Sequence, residues 1–472
     1  MKFWNKTKIV ATIGPASSSK VELKALIQAG VDLIRINGAH GSFDEHEMII
    51  SRARSVANSL GVTVGVLLDL PGPKIRLGEL KLESIILKKG QTVTLACGKS
   101  KQKADEIPVP DKFIARAVKK GSQIFINDGI VEVKVLSISG SDIQCKVVAG
   151  GEIRSRKGLN LPRVKLPIPS LTKKDKGLLS FAIKQDVDYL GLSFVRSAKN
   201  VKDLKGILKK KAPHIGVIAK IEKPEALDEI DEIIAVSDAV MVARGDLGIE
   251  MPFDKIPLIQ RRILHLCRMT GTPTITATQM MESMVHSARP TRAEASDIAM
   301  AVWEGTDAVM LSEETSIGQN PAKAVQAMAR IAEEAEEEMS DRITPERKSD
   351  ANELQAQVMS FAAGVLADEL GAKAVVTPTR TGKSALFVSS TRPCTQVIAP
   401  TENEQTARRM TLYWGVRPIK MPHFNTVDEL LRYAENMALK SKFIKKGDKI
   451  VITSGAHGRE DDILRLVEVR DV

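Results

Sequence analysis

Aromatic side chains make up only 4% of the 472 residues. A surface that stacks bases needs aromatics interleaved with basic groups, and no such segment occurs, so a nucleic-acid binder is not expected. Cysteine is equally sparse. Cys97, Cys145, Cys267 and Cys394 are scattered, with no CxxC pair, which excludes a thiolate zinc site and a disulfide framework and points to a reducing compartment. No apolar run approaches the ~20 residues of a membrane-spanning helix. The segment Met1-Lys2-Phe3-Trp4-Asn5-Lys6 has no apolar h-region, so no secretion leader is expected and the cytoplasm is the expected location. Seven histidines are spread along the chain, and no Ser–His–Asp set is apparent.

Positive charge, by contrast, is in excess. The formal net charge is +11. Much of it reads as solvated helix face, as in Lys202-Asp203-Leu204-Lys205 and Lys209-Lys210-Lys211. With nucleic acid and membrane set aside, small phosphorylated anions are the partners that such a field suits.

Short β-branched runs alternate with amphipathic stretches of helix length, the pattern of βα units around a parallel sheet. Eight runs read as buried strands: Lys8–Ile13, Val31–Ile36, Val64–Asp69, Val187–Ser193, Gly216–Ile221, Ala239–Val242, Pro273–Ala277 and Ala308–Leu311. Eight such units predict a (β/α)8 TIM barrel. The gap between the third and fourth is too long for a crossover. Its short runs Val93–Leu95, Ile124–Ile126, Val131–Leu136 and Ile143–Val148 are separated by tight turns such as Asn127-Asp128-Gly129, which predicts an all-β insert. It leaves and returns through Pro71-Gly72-Pro73 and Pro162…Pro167-Ile168-Pro169. A polar stretch, Ser340–Asn352, reads as a linker. The remainder restarts an α/β pattern, with strands expected at Ala374–Thr377, Gln396–Ala399, Val416–Ile419 and Lys449–Thr453. The expected domains are barrel at 1–72 and 168–345, a β-domain lid at 73–167, and a C-terminal α/β domain at 352–472.

Barrel enzymes carry their chemistry at the C-terminal ends of the strands. Strand two ends in Arg35-Ile36-Asn37-Gly38-Ala39-His40, strand three in Asp69-Leu70-Pro71-Gly72-Pro73-Lys74-Ile75-Arg76, and strand five in Lys220-Ile221-Glu222. Strand six ends in Arg244-Gly245-Asp246-Leu247-Gly248, strand seven in Thr278-Gln279-Met280, and strand eight in Ser312-Glu313-Glu314-Thr315. Lys220 and Glu222, two apart on a strand, share a face. Glu222 and Asp246, on neighbouring strands with little His or Cys nearby, suit Mg²⁺, which takes oxygen ligands and substrate phosphate; Mn²⁺ is the alternative. Cations, a divalent ion and little covalent equipment are the inventory of phosphoryl transfer.

The chain resembles the pyruvate kinase family over essentially its whole length. The resemblance rests on Thr12-Ile13-Gly14-Pro15-Ala16, Gly72-Pro73-Lys74-Ile75-Arg76, Lys157-Gly158-Leu159-Asn160-Leu161-Pro162, Met241-Val242-Ala243-Arg244-Gly245-Asp246-Leu247-Gly248, and Ala277-Thr278-Gln279-Met280 with Arg289-Pro290-Thr291-Arg292-Ala293-Glu294. It implies transfer of the phosphoryl group of phosphoenolpyruvate to ADP, giving pyruvate and ATP, in a homotetramer. It also implies the roles. Arg35, Lys220, Thr278 and Ser312 are the candidate catalytic residues. Arg35, Lys220, Gly245, Asp246 and Thr278 would bind phosphoenolpyruvate, and Asn37, His40, Arg76 and Lys157 the nucleotide. Glu222 and Asp246 would be the metal ligands.

The chain departs from the family pattern at one place. Many members bind K⁺ through an Asn, a Ser, an Asp and a following carbonyl. Asn37, Asp69 and Leu70 remain here, but the Ser position is Ala39, and a Glu of K⁺-dependent members is replaced by Lys74. The expectation is that the Lys74 ammonium sits near Asp69 and removes the need for K⁺. In the C-terminal part, Thr379-Arg380-Thr381-Gly382-Lys383-Ser384 fails the P-loop pattern, because Thr377 stands where its first glycine should be. The run resembles the family's effector-phosphate loop. Two other readings are a carbon–carbon lyase on a pyruvate-binding barrel, which has no use for Arg76 or Lys157, and a basic nucleic-acid binder, which has no use for the polar strand ends.

Overall fold

The computed structural model describes residues 5–162, 164, 167–339, 345–346, 350–423, 429, 432–433, 435–436, 444–457 and 463–472. Eight parallel strands close into a barrel: Lys8–Thr12, Leu33–Asn37, Gly65–Leu70, Tyr189–Leu192, Gly216–Ile221, Ala239–Ala243, Thr274–Ala277 and Ala308–Leu311. Each lies within a run anticipated from the sequence or within a residue of it. Their side chains are almost all buried, as parallel strands covered on both faces must be. Hydrogen-bonding runs in order around the ring, with the last strand returning to the first through Lys8–Ala308 and Ala11–Leu311.

The surrounding helices start where the sequence offers a cap. Ser42, Thr172 and Thr291 each accept the third backbone N–H of their helix, and Glu45, Asp175 and Glu294 reach back to complete the box. Asp175 does more. Its Oδ2 accepts from Thr172 N and Oγ1, while its Oδ1 accepts from Gly72 N at 3.1 Å. One buried carboxylate therefore ties the outgoing connection of the insert to the segment just past the returning one. Residues 163, 165 and 166 of that return lie outside the described residues.

The insert is a six-stranded sheet and a two-stranded sheet around their own apolar cluster, which includes Leu95, Ile124, Val133 and Cys145. Its four anticipated strands are present, and shorter ones at Ser84–Leu87, Ile107–Val109, Gly151–Arg154 and Leu159–Asn160 join them. Most of the expected linker, 340–344 and 347–349, falls outside the described residues. The C-terminal unit is a five-stranded sheet, four strands parallel, with Ile463–Asp471 antiparallel at the edge beside Lys449–His457.

The C-terminal unit packs against the N-terminal ends of the barrel strands, away from their C-terminal ends. Arg408 donates to Asp188, just before strand four, and Tyr189 donates its hydroxyl to Arg409 O. Arg392, at φ +52°, pairs with Asp307, just before strand eight, and lies 4.8 Å from the Trp414 ring. No helix among the described residues is long and apolar enough to cross a membrane.

Candidate active site

Four charged side chains from strands two, three and five, with strand four between the last two, meet at the C-terminal mouth of the barrel. Arg35 donates through Nε and Nη2 to Asp69 Oδ2, at 2.9 and 2.6 Å, and through Nη1 to Thr12 Oγ1 at 2.9 Å. Lys220 Nζ lies 3.1 Å from the same Asp69 oxygen, 2.9 Å from Glu222 Oε1 and 2.8 Å from Ser193 Oγ. All four are buried. Gly191 allows this closeness, because a Cβ there would lie 2.1 Å from Asp69 Oδ1.

Electrostatics fix the protonation states. Burial works to lower the Lys220 pKa, but Asp69 and Glu222 more than offset it and hold the group as ammonium. Burial raises the Asp69 carboxyl, and Arg35 and Lys220 override that, so its value stays below the usual carboxylate range. Glu222 goes the other way. Burial pushes it up, Asp246 adds like-charge repulsion, and Lys220 only partly opposes them. Glu222 is anchored from behind by the Phe194 N–H at 2.7 Å. Two carboxylates that repel in a low-dielectric site are stabilised by a divalent cation, so the donor chemistry here fits Mg²⁺ or Mn²⁺. Among the described residues no group of three or more His, Cys, Asp or Glu could enclose a metal.

On strands six and seven the geometry is set by backbone. Gly245 N donates to Thr278 Oγ1 at 2.7 Å, and that hydroxyl donates to Ala277 O. Thr278 has φ +67° and Gln279 +55°, costly for a β-branched residue and a frequent mark of functional sites. Arg244 holds them, donating to Thr278 O at 2.8 Å and to Gln279 O while pairing with Asp297 at 2.7 Å. The Ser312 hydroxyl is buried with no hydrogen-bond partner among the described residues.

Asn37 and His40 line a neighbouring cavity of about 660 Å³ with Thr12, Gly14, Pro15 and His46. Arg76 and Lys157 sit at the root of the inserted β unit. Arg76 donates to Arg156 O, and the Lys157 carbonyl accepts from Leu77 N. Thr379–Ser384 stands apart, in the C-terminal unit. Thr379 Oγ1 accepts from Gly382 N, Gly382 at φ +85° opens the helix Lys383–Ser390, and Lys383 pairs with Glu353.

One expectation changes. Lys74 does not pair with Asp69 among the described residues. Its Nζ lies 3.8 Å from Asp246 Oδ1 and 3.9 Å from Asp128 Oδ1 of the lid. The hinge explains this: Gly72, at φ +67°, turns the chain between Asp69 and Lys74, and Asp69 already has Arg35 and Lys220. Three contributors were not read from sequence. Thr12 ends strand one and Ser193 follows strand four, both uncharged, and Arg244 at the end of strand six carries no assigned role in the sequence pattern.

Family models cover both parts of the chain. The model described as pyruvate kinase, barrel domain, matches residues 4–325, and that described as pyruvate kinase, alpha/beta domain, matches 357–467. A pyruvate kinase of Clostridium acetobutylicum is 39% identical over 470 residues, covering 99% of both chains. One from Geobacillus stearothermophilus is 40% identical over 468 residues, 98% of this chain and 80% of the relative. The crystal structure of a pyruvate kinase from Cryptosporidium parvum superposes with a TM-score of 0.90 at 32% identity, covering 99% of this chain and 96% of that one. With the closed barrel, the inserted β unit and the cationic mouth described above, these matches make the conclusion direct: the chain belongs to the pyruvate kinase family and is a phosphotransferase of that family.

Proposed function

We propose that phosphoenolpyruvate lies over the Arg35–Asp69–Lys220–Glu222 cluster and passes its phosphoryl group to ADP held in the adjoining cavity. The observation that carries this reading is the buried Lys220 ammonium, held by two carboxylates and a hydroxyl beside Arg35. Positive charge fixed in a water-poor site stabilises the phosphoryl group as its bond to the enol oxygen breaks and its bond to the ADP oxygen forms. Arg35 and Lys220 would hold the phosphate. The Gly245 and Asp246 amides would hold the substrate carboxylate, and the Thr278 oxygen that now accepts from Gly245 N marks where such an acceptor sits. Glu222 and Asp246 would hold Mg²⁺ or Mn²⁺, which supplies charge neutralisation between the phosphoryl oxygens when bound. Asn37 and His40 would face the nucleotide, with Arg76 and Lys157 reaching it from the lid. The enolate left behind takes a proton at its methylene carbon, delivered along the Thr278 and Ser312 hydroxyls.

In this reading the domains are 1–72 with 168–345, 73–167 and 352–472, the assembly is a homotetramer, and the compartment is the cytoplasm. Lys74, facing Asp246, supplies the positive charge that K⁺ brings elsewhere in the family. The loop Thr379–Ser384 takes the phosphate of a small effector, its N–H groups opening a helix.

The test is Lys220→Met. Loss of one transition-state charge of this kind typically costs about 10²–10³ in rate. Turnover should fall by at least that much while phosphoenolpyruvate affinity, measured by titration, changes little. Near-normal turnover would remove Lys220 from the mechanism.

A further inference from the structure

Glu250 is a buried carboxylate that the reaction as described does not use. It closes the helix Arg244–Glu250, whose first turn carries Gly245 and Asp246. Its side chain is fully buried. Oε1 accepts from Asn160 Nδ2 at 2.8 Å and from Lys223 Nζ at 2.5 Å, whereas Oε2 is buried with no hydrogen-bond partner among the described residues. These two donors come from different places. Asn160 is buried in the strand Leu159–Asn160 of the inserted lid, three residues past Lys157. Lys223 follows Glu222 directly, is 12% exposed, and lies 5.8 Å from the ring of Phe194, whose N–H anchors Glu222. One carboxylate oxygen thus gathers the lid, the segment carrying Glu222, and the helix carrying Asp246, one turn before Glu250.

A charge desolvated at this depth is retained only if its partners hold it. Glu250 has two, and they belong to different elements. When the lid strand is seated, Asn160 fixes Oε1. Oε1 in turn sets Lys223, and so the separation of the segment bearing Glu222 from the helix bearing Asp246. We infer that Glu250 is a positioning residue that couples the seating of the lid, through Asn160, to the spacing of the Glu222 and Asp246 carboxylates, through Lys223. The inference rests on those two carboxylates being the metal pair. It assigns Glu250 no contact with substrate or metal. Its function is to make a well-formed metal site conditional on a seated lid, so that the carboxylates are in register only when Lys157 and Arg76 are also over the mouth. Partners that orient metal ligands in this way typically shift affinity by about 10- to 100-fold when removed.

Two measurements on the full chain test this without relying on turnover. Mn²⁺ binding, followed by the electron paramagnetic resonance of the free ion, should weaken by about 10- to 100-fold in Glu250→Gln and in Asn160→Ala. The double variant should be no worse than the weaker single one, because both changes cut the same connection. Hydrogen exchange of the 157–160 amides in metal-free protein should speed up by roughly tenfold in both, since the lid strand loses its tether. Glu222→Gln is the control for the metal reading. If Glu222→Gln weakens Mn²⁺ binding and Asn160→Ala does not, the coupling is wrong and the metal pair stands. Should Glu222→Gln itself bind Mn²⁺ normally, the metal pair fails and the inference falls with it. Additive losses in the double variant would also overturn the coupling. If Glu250→Gln does not fold, Asn160→Ala, which leaves the Lys223–Glu250 pair in place, decides the matter alone.

Discussion

Lys74→Glu is the most informative single change for the monovalent cation. The ammonium lies 3.8 Å from Asp246 and 3.9 Å from Asp128, with the Lys74 and Asp246 side chains 31% and 30% exposed. A unit pair at ~4 Å is worth about 1 kcal/mol in water and about 4 kcal/mol at an effective dielectric of ~20. Exposure of about a third puts this pair near the lower figure, at ~1–2 kcal/mol. Charge reversal replaces attraction with repulsion, so the change is roughly twice that, ~2–4 kcal/mol, or about 30- to 900-fold in kcat/KM. The assay uses tetramethylammonium salts with and without KCl at constant ionic strength. The parent chain should be active without K⁺ and rise little when K⁺ is added. Lys74→Glu should be nearly silent without K⁺ and recover part of its rate with it; pairing it with Ala39→Ser, which supplies the missing oxygen, should recover more. A parent enzyme that gains many-fold from K⁺, or a Lys74→Glu variant indifferent to its removal, would refute the electrostatic argument.

Two further outcomes follow from sites away from the mouth. The double change Thr381→Ala with Ser384→Ala should raise the concentration of a phosphorylated activator needed for half-activation; an unchanged activation curve would show that the phosphate binds elsewhere. Arg408→Met leaves Asp188 buried without its partner and should cost about 3–5 kcal/mol in urea melts. Burial pushes the Asp188 carboxyl up to about 6, with Arg408 and the Val66 N–H opposing it. A folded value above the ordinary 3.8 means that this contribution to stability is full below about pH 3.8 and lost as the pH rises through about 6. Without Arg408 the carboxyl rises further, so the deficit should be larger at about pH 8 than at about pH 5; equal deficits would show that Asp188 is not ionised in the fold.

Most of the barrel was legible because each strand is a short apolar run ending in polar residues, and reading those ends gave Arg35, Asp69, Lys220, Glu222 and Asp246 directly. What escaped has physical reasons. Lys74 stands where the K⁺-dependent pattern of the family has a Glu, which places its ammonium beside Asp69, but the turn at Gly72 sends the side chain across the mouth to Asp246. Ser193 and Thr12 carry no formal charge, so nothing in their residue type marks them as partners of Lys220 and Arg35. The Asn160–Glu250–Lys223 contact joins residues 90 and 27 positions apart, and nothing local records it. Short lid strands such as Ile107–Val109 are too brief for a period of two to show. The edge strand Ile463–Asp471 mixes apolar and charged residues without a strict period of two, since Ile463-Leu464 and Leu466-Val467 are adjacent apolar pairs.

Strands four and eight are gripped by arginines at one end and end in Ser193 and Ser312 at the other. From Asp188 to Ser193, or from Asp307 to Ser312, is five residues, about 17 Å of extended chain. Each strand is thus a stiff rod, held at its base by the C-terminal unit and carrying a polar tip at the other end. Substitutions that alter how the base is held leave the composition of the tip untouched. Packing at the base and composition at the tip can therefore diverge independently within one lineage.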